Sequence, residues 1–269
     1  ASTMNVADTA QVTINTGDTW NGAIAQTGGT ATFLDNVVKD ATNATFNSNG
    51  GNVVIGDGAT TAGTLNLNNA ADLITAASVV TINNNGTLNQ SAGTVTLDNA
   101  AGTADTWSGA IVLSGTGDLT LDGRDDTTDD TQTFNQTAGT VNIVNAGALT
   151  LGTDDSVING TSAVKLGETT GNTAGSLTLS NGTANQATIT TEGTSTDSVF
   201  TVNGANTAFT TLTGSNLALG TVTVGDGTNA STLNLSNDGI IAKEVALTVD
   251  TASTMNVADT AQVTINTGD

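Results

Sequence analysis

Residues 63–67 read GTLNL, and the same design returns as GTVTL at 93–97, GDLTL at 117–121, GTVNI at 139–143 and GSLTL at 175–179. Each run is entered through Gly, then alternates a polar residue with Leu, Val or Ile. A period of two places the aliphatic side chains on one face of an extended strand and Thr, Asn or Asp on the other. Between the runs lie turn formers such as Asn85-Gly86, Asn159-Gly160 and Asn181-Gly182. No stretch sustains a helical period, so the chain is expected to be all-β.

Longer echoes set the spacing of these strands. DTWNGAI at 18–24 returns as DTWSGAI at 105–111, and QSAGTVTL at 90–97 returns as QTAGTVNI at 136–143. A coil of about 21–23 residues divides both offsets, as expected for one turn of a parallel β-solenoid, or β-helix. A string of β-sandwich domains is the competing architecture, although such domains usually carry a core Trp or Tyr and wider-spaced hairpin signals.

The longest echo is an identity. ASTMNVADTAQVTINTGD at 1–18 recurs letter for letter at 252–269. Residues 1–251 are therefore expected to form one complete tandem unit, and 252–269 to open the next, within a longer chain of near-identical units. At twelve coils per unit and about 4.8 Å per coil, one unit is expected to advance roughly 55–60 Å. Asn and Thr at matching places in successive coils are expected to form side-chain ladders.

Composition narrows the function classes. Four basic residues, Lys39, Arg124, Lys165 and Lys243, face 25 acidic ones, for a net charge of −21. A phosphate backbone needs clustered Lys and Arg, so neither nucleic acid nor an anionic membrane surface is an expected partner. No apolar stretch is long enough for a membrane-inserting helix. Cys, His, Tyr and Pro are all absent, and aromatics make up only 3%. That removes disulfides, thiolate metal sites and the usual general base. Small branched aliphatics suit a thin core between closely stacked sheets. No catalytic constellation stands out and no cofactor is required, so the chain is not expected to be an enzyme.

One cluster carries metal-ligating chemistry. Within LDGRDDTTDD at 121–130, Asp122, Asp125, Asp126, Asp129 and Asp130 offer five carboxylates to a hard cation such as Ca²⁺. A solvated loop with Arg124 as counter-charge is the plain alternative. The GDG turns at 56–58 and 225–227 are a weaker cation candidate, with an ordinary tight turn as the alternative. Trp20 and Trp107 share one local context. They are expected to fill equivalent corners of the coil, with sugar stacking as the other possibility.

Runs such as GTVTLDNAAGT at 93–103, AGALTLG at 146–152 and GSLTLSNGTANQATIT at 175–190 resemble the passenger regions of Gram-negative autotransporters and haemagglutinin-type secreted adhesins. The likeness lies in strand rhythm and composition and covers nearly the whole chain. It implies a right-handed parallel β-helix on a bacterial cell surface, extracellular, serving as an adhesin or fibre. The long, near-identical unit departs from the diverged coils of many passengers and points to a giant repetitive fibre. The expected role is thus a structural repeat unit whose partners are neighbouring identical units, end to end, with lateral self-association as a further contact. The alternatives are an adhesin for glycans or other cells, and an ice-binding solenoid built on Thr-x-Thr pairs such as Thr94/Thr96, Thr188/Thr190 and Thr221/Thr223.

Overall fold

The structure is a computed structural model that describes residues 3–15, 18–36, 38–39, 44–99, 104–128, 132–152, 156–168, 173–218, 220–236, 238–242 and 244–265. Among them every regular element is a β-strand, mostly of two to five residues, and the registered strand pairs are parallel. The chain is a parallel β-solenoid. It divides into two compact units, one of residues 1–120 with 131–135, the other of 121–130 with 136–269.

In the first unit, successive coils add strands to three stacks. One runs Thr3–Val6, Ala23–Gln26, Thr45–Ser48, Leu73–Ile74 and Thr94–Asp98. A second runs Gln11–Ile14, Thr30–Phe33, Gly51–Ile55, Ser78–Ile82 and Thr106–Trp107. The third runs Asp35–Asn36, Gly63–Leu67, Gly86–Gln90 and Ala110–Leu113. In register, inward residues form columns such as Ile14, Phe33, Ile55, Ile82 and Trp107, all buried. Each such side chain stabilises the coil by about 1.5–3 kcal/mol through removal from water.

The second unit repeats the scheme. Asp125–Thr127, Gly147–Leu151, Gly175–Leu179, Val199–Val202, Gly220–Val224 and Val245–Val249 form one stack. In another, Thr140–Val144 and Ala163–Leu166 lead to the long strand Ala184–Thr191, where the stack divides. Its first half carries Ala208–Thr211, Thr232–Leu235 and Thr254–Val257, and its second half carries Asn216–Leu217, Ile240–Ile241 and Gln262–Val263.

The leading Gly of the sequence motif has a steric cause. Gly63 and Gly86 are register partners at one corner, as are Gly147 and Gly175. A Cβ on Gly63 would run into the backbone of Gly56 and Phe33, and one on Gly86 into that of Ile55. The chain turns so tightly into the strand that only hydrogen fits there.

Register offsets run from 19 residues (Gln11 to Thr30) to 28 (Gly147 to Gly175), averaging about 23. The sequence-derived coil length thus holds as a typical value, with longer corners interspersed. At that average a 251-residue unit holds about ten to eleven coils rather than the twelve expected.

Candidate functional site

Of the five aspartates of 121–130, three lie within the described residues, Asp122 at the end of one strand and Asp125 and Asp126 on the next. Asp125–Thr127 is a strand in the second unit, so consecutive side chains point to opposite faces: Asp125 is exposed and Asp126 is buried. Asp126 sits in register with Leu149, at the foot of an inward column. Arg124, two residues earlier and on the same face, closes a bidentate pair with it: Nε to Oδ2 at 2.8 Å and Nη2 to Oδ1 at 2.8 Å. The fork of the guanidinium matches the carboxylate, and this pairing lets two charges occupy an inward position. Asp122 Oδ1 accepts a hydrogen bond from Asn145 Nδ2 at 2.6 Å. Asp129 and Asp130 lie outside the described residues. Among the described residues no three His, Cys, Asp or Glu side chains converge as a metal site would require.

The GDG turns are hydrogen-bond hubs. Asp57 Oδ1 accepts the N–H groups of Ala59, Thr60 and Thr61 at 2.8–2.9 Å, and Asn85 Nδ2 from the next coil at 2.9 Å. Asp226 Oδ1 accepts the N–H groups of Thr228 and Asn229, both at 2.8 Å, while its Oδ2 accepts Asn229 Nδ2 at 2.9 Å. The backbone N–H of Ala59, then Asn85 and Thr61, hold the Asp57 carboxyl well below its ordinary range. The N–H groups of Asn229 and Thr228 lower that of Asp226. Donors therefore converge on Oδ1 of Asp57 and on both carboxylate oxygens of Asp226.

Both tryptophans point inward. Trp20 and Trp107 are 8% and 4% exposed, and each indole N–H donates to the carbonyl two residues on, Gly22 at 2.6 Å and Gly109 at 2.9 Å. This shared geometry explains why the DTW-x-GA context recurs. Trp20 packs against Phe33 and Phe46, and Trp107 against Phe134. Both fill core space, Trp107 against Phe134 and Trp20 between Phe33 and Phe46 with its remaining side on the first coil's cavity.

Side-chain ladders form as expected. In the first unit Asn89 Nδ2 donates to Asn66 Oδ1 at 3.0 Å. In the second, Asn256 Nδ2 donates to Asn234 Oδ1 at 2.8 Å, and Asn234 Nδ2 to Thr210 Oγ1 at 3.2 Å. A Thr column of six rungs, Thr127, Thr150, Thr178, Thr201, Thr223 and Thr248, also stacks in register on the second unit's outward face. The column two residues upstream mixes Asp, Ala, Ser, Val and Thr, so Thr is regular in one column and not in two.

Sequence reasoning missed two features. Gln26, Gln90 and Gln136 are wholly buried, and each clamps a corner. Gln90 Nε2 donates to Gly93 O at 3.0 Å in its own turn and to Asp118 O at 2.9 Å in the next coil. Gln136 does the same with Gly139 and Ala163, and Gln26 with Gly29 and Asn52. The shared spelling Q-x-[AG]-G-T, seen at 26–30, 90–94 and 136–140, was the available signal. The second is Lys39, whose side chain is 2% exposed and bonded to Asp72 Oδ2 at 2.6 Å and Asn68 Oδ1 at 2.8 Å.

The two copies of the 18-residue repeat complete the picture. TMNV is a strand in both, Thr3–Val6 and Thr254–Val257. The first copy pairs with the strand that follows it, Ala23–Gln26, and the second with the strand that precedes it, Thr232–Leu235. Likewise Gln11–Ile14 pairs forward with Thr30–Phe33, whereas Gln262–Val263 pairs backward with Ile240–Ile241. Val6 and Ile14 are 0% and 6% exposed, but their counterparts Val257 and Ile265 are 50% and 70% exposed. A cavity of about 470 Å³, lined by Met4, Val12, Ile14, Trp20, Gly22 and Ile24, lies at the first coil. No protein-family model matches the chain, and no curated protein or solved structure matches it significantly.

Proposed function

We propose that the chain is the structural repeat unit of a long extracellular fibre, a surface filament in which β-solenoid units continue end to end. One observation carries this reading: the same two strands use one edge in the first copy of the repeat and the opposite edge in the second. In a tandem chain each such strand would hold both partners at once. TMNV would lie between TLNL of one unit and AIAQ of the next, and QVTI between the strand at 240–241 and TATF. The exposed Val257 and Ile265 would then be covered as Val6 and Ile14 are, and the cavity at Trp20 would be closed by the preceding coil. An open parallel edge is otherwise a site of uncontrolled association. Joining units through it turns that liability into a continuous ladder and core. The outward acidic residues keep such a filament soluble by self-repulsion.

About ten to eleven coils per 251-residue unit at about 4.8 Å each give an axial repeat of about 50–55 Å. The test is imaging of a chain containing several consecutive units. Unbroken rungs through each junction support the reading, and compact beads joined by linkers refute it. Ice binding remains the second reading, favoured by the Thr column. Thermal hysteresis by a single unit would support it, and freezing at the colligative value would remove it.

A further inference from the structure

The first unit contains one group of reactive side chains that neither the stacking nor the ladders use. Lys39 is register partner to Trp20, so its side chain enters the core beneath the indole, with Nζ 5.7 Å from the ring centroid. There Nζ meets two groups from one segment of the next coil, Asn68 Oδ1 at 2.8 Å and Asp72 Oδ2 at 2.6 Å. The Lys39 and Asp72 side chains are 2% and 0% exposed. Asp72 is fixed in place: its Oδ1 accepts the N–H of Phe46 at 2.9 Å and its Oδ2 that of Asn69 at 3.0 Å. An amine, a carboxamide and a carboxylate are thus held in contact, the amine and the carboxylate buried and the carboxamide half-buried. Holding reactants in such contact removes most of the entropic barrier to their reaction.

We propose that Lys39 and Asn68 form an intramolecular isopeptide bond, with Asp72 as the catalytic residue that moves the proton. Asp72 takes one proton from the Lys39 ammonium and frees the nitrogen lone pair. The nitrogen adds to Cγ of Asn68, one bond beyond the oxygen it already touches. The C–N bond between Cγ and Nζ forms, and the bond from Cγ to Nδ2 breaks. Lys39 nitrogen gives up two protons in all, the first by way of Asp72, and both end on the departing nitrogen. It leaves as ammonium, Asp72 returns to carboxylate, and no oxidant or cofactor is consumed. Asn68 is the acceptor because an amide can expel ammonia, whereas the oxygens of Asp72 already serve as anchored proton acceptors. The product is a covalent tie between the segment at 38–39 and the following coil, a link that pulling along the solenoid cannot break by shear of hydrogen bonds.

The test is intact-mass spectrometry of the full chain after folding, followed by peptic digestion. The expected mass is the sequence mass less one ammonia, with a branched peptide joining Lys39 to Asn68. Lys39→Arg, Asn68→Ala and Asp72→Asn should each restore the unbranched peptides. The full sequence mass in the wild-type chain would overturn the proposal. So would a deficit of one water together with a branched peptide that joins Lys39 to Asp72. An ammonia deficit that survives Lys39→Arg would also overturn it, being cyclisation at an Asn-Gly step such as Asn85-Gly86. The wild-type measurement decides the matter even where a variant fails to fold.

Discussion

Replacing Gln90 tests whether the buried glutamine clamps hold neighbouring coils together. Its Nε2 makes two hydrogen bonds inside a wholly buried corner, one to its own turn and one to the next coil. Gln90→Leu keeps the volume and removes both bonds, a loss of about 2 kcal/mol at about 1 kcal/mol each. Gln90→Ala adds a small cavity and should cost about 3 kcal/mol. Gln90→Glu is nearly isosteric, but turns a carboxylate oxygen towards two carbonyl oxygens. An uncompensated buried charge costs about 3–5 kcal/mol. Burial raises the introduced carboxyl, so the Glu variant should regain stability as pH falls through that raised value towards about 4. The assay is urea unfolding followed by circular dichroism, comparing midpoints because repeat proteins depart from two-state behaviour. The order at pH 7 should be wild type, Leu, Ala, Glu. A Glu variant as stable as wild type would refute the clamp.

Three further outcomes follow from the geometry. Phe46→Ala should cost about 3–5 kcal/mol, because the ring is fully buried against Phe33 and Trp20. Trp20 fluorescence should shift to the red, and an unchanged spectrum would contradict the packing. Gly86→Ala should destabilise by about 3 kcal/mol through backbone overlap, against less than about 0.5 kcal/mol for the outward Thr87→Ala. Equal midpoints for the two would remove the corner argument. Because the Asp57 carboxyl is held down in the folded turn, it stabilises that turn above the ordinary carboxylate value of about 3.9 and loses this as pH falls through the folded value. Carboxyl carbon shifts should show Asp57 still ionised at a pH of about 3, and titration at the ordinary value would exclude the N–H hub.

Strand rhythm was legible because inward and outward residues alternate strictly wherever a strand has one dry face. The coil length was legible because corner features recur at the same depth, as in the two DTW-x-GA corners and the Q-x-A-G-T turns. The number of coils was not, since the register offset between stacked strands varies from 19 to 28 residues without a change in the strand pattern itself. Within the acidic run at 121–130, the order along the chain did not tell which described carboxylates share a face. Once Asp125–Thr127 is a strand, Asp125 and Asp126 part company and Arg124 meets Asp126 on the buried face. Lys39 was invisible for a different reason. A single Lys in a polar sequence suggests solvent, and its partners lie 29 and 33 residues on. Only knowledge of which coil stacks on which brings them together.

The central claim is that strands run without interruption from one tandem unit into the next. Electron cryomicroscopy of a chain carrying several consecutive units tests it most directly. The expected result is a thin filament with rungs about 4.8 Å apart through every junction and an axial period of about 50–55 Å. Separate globules linked by gaps in the rung pattern would contradict it.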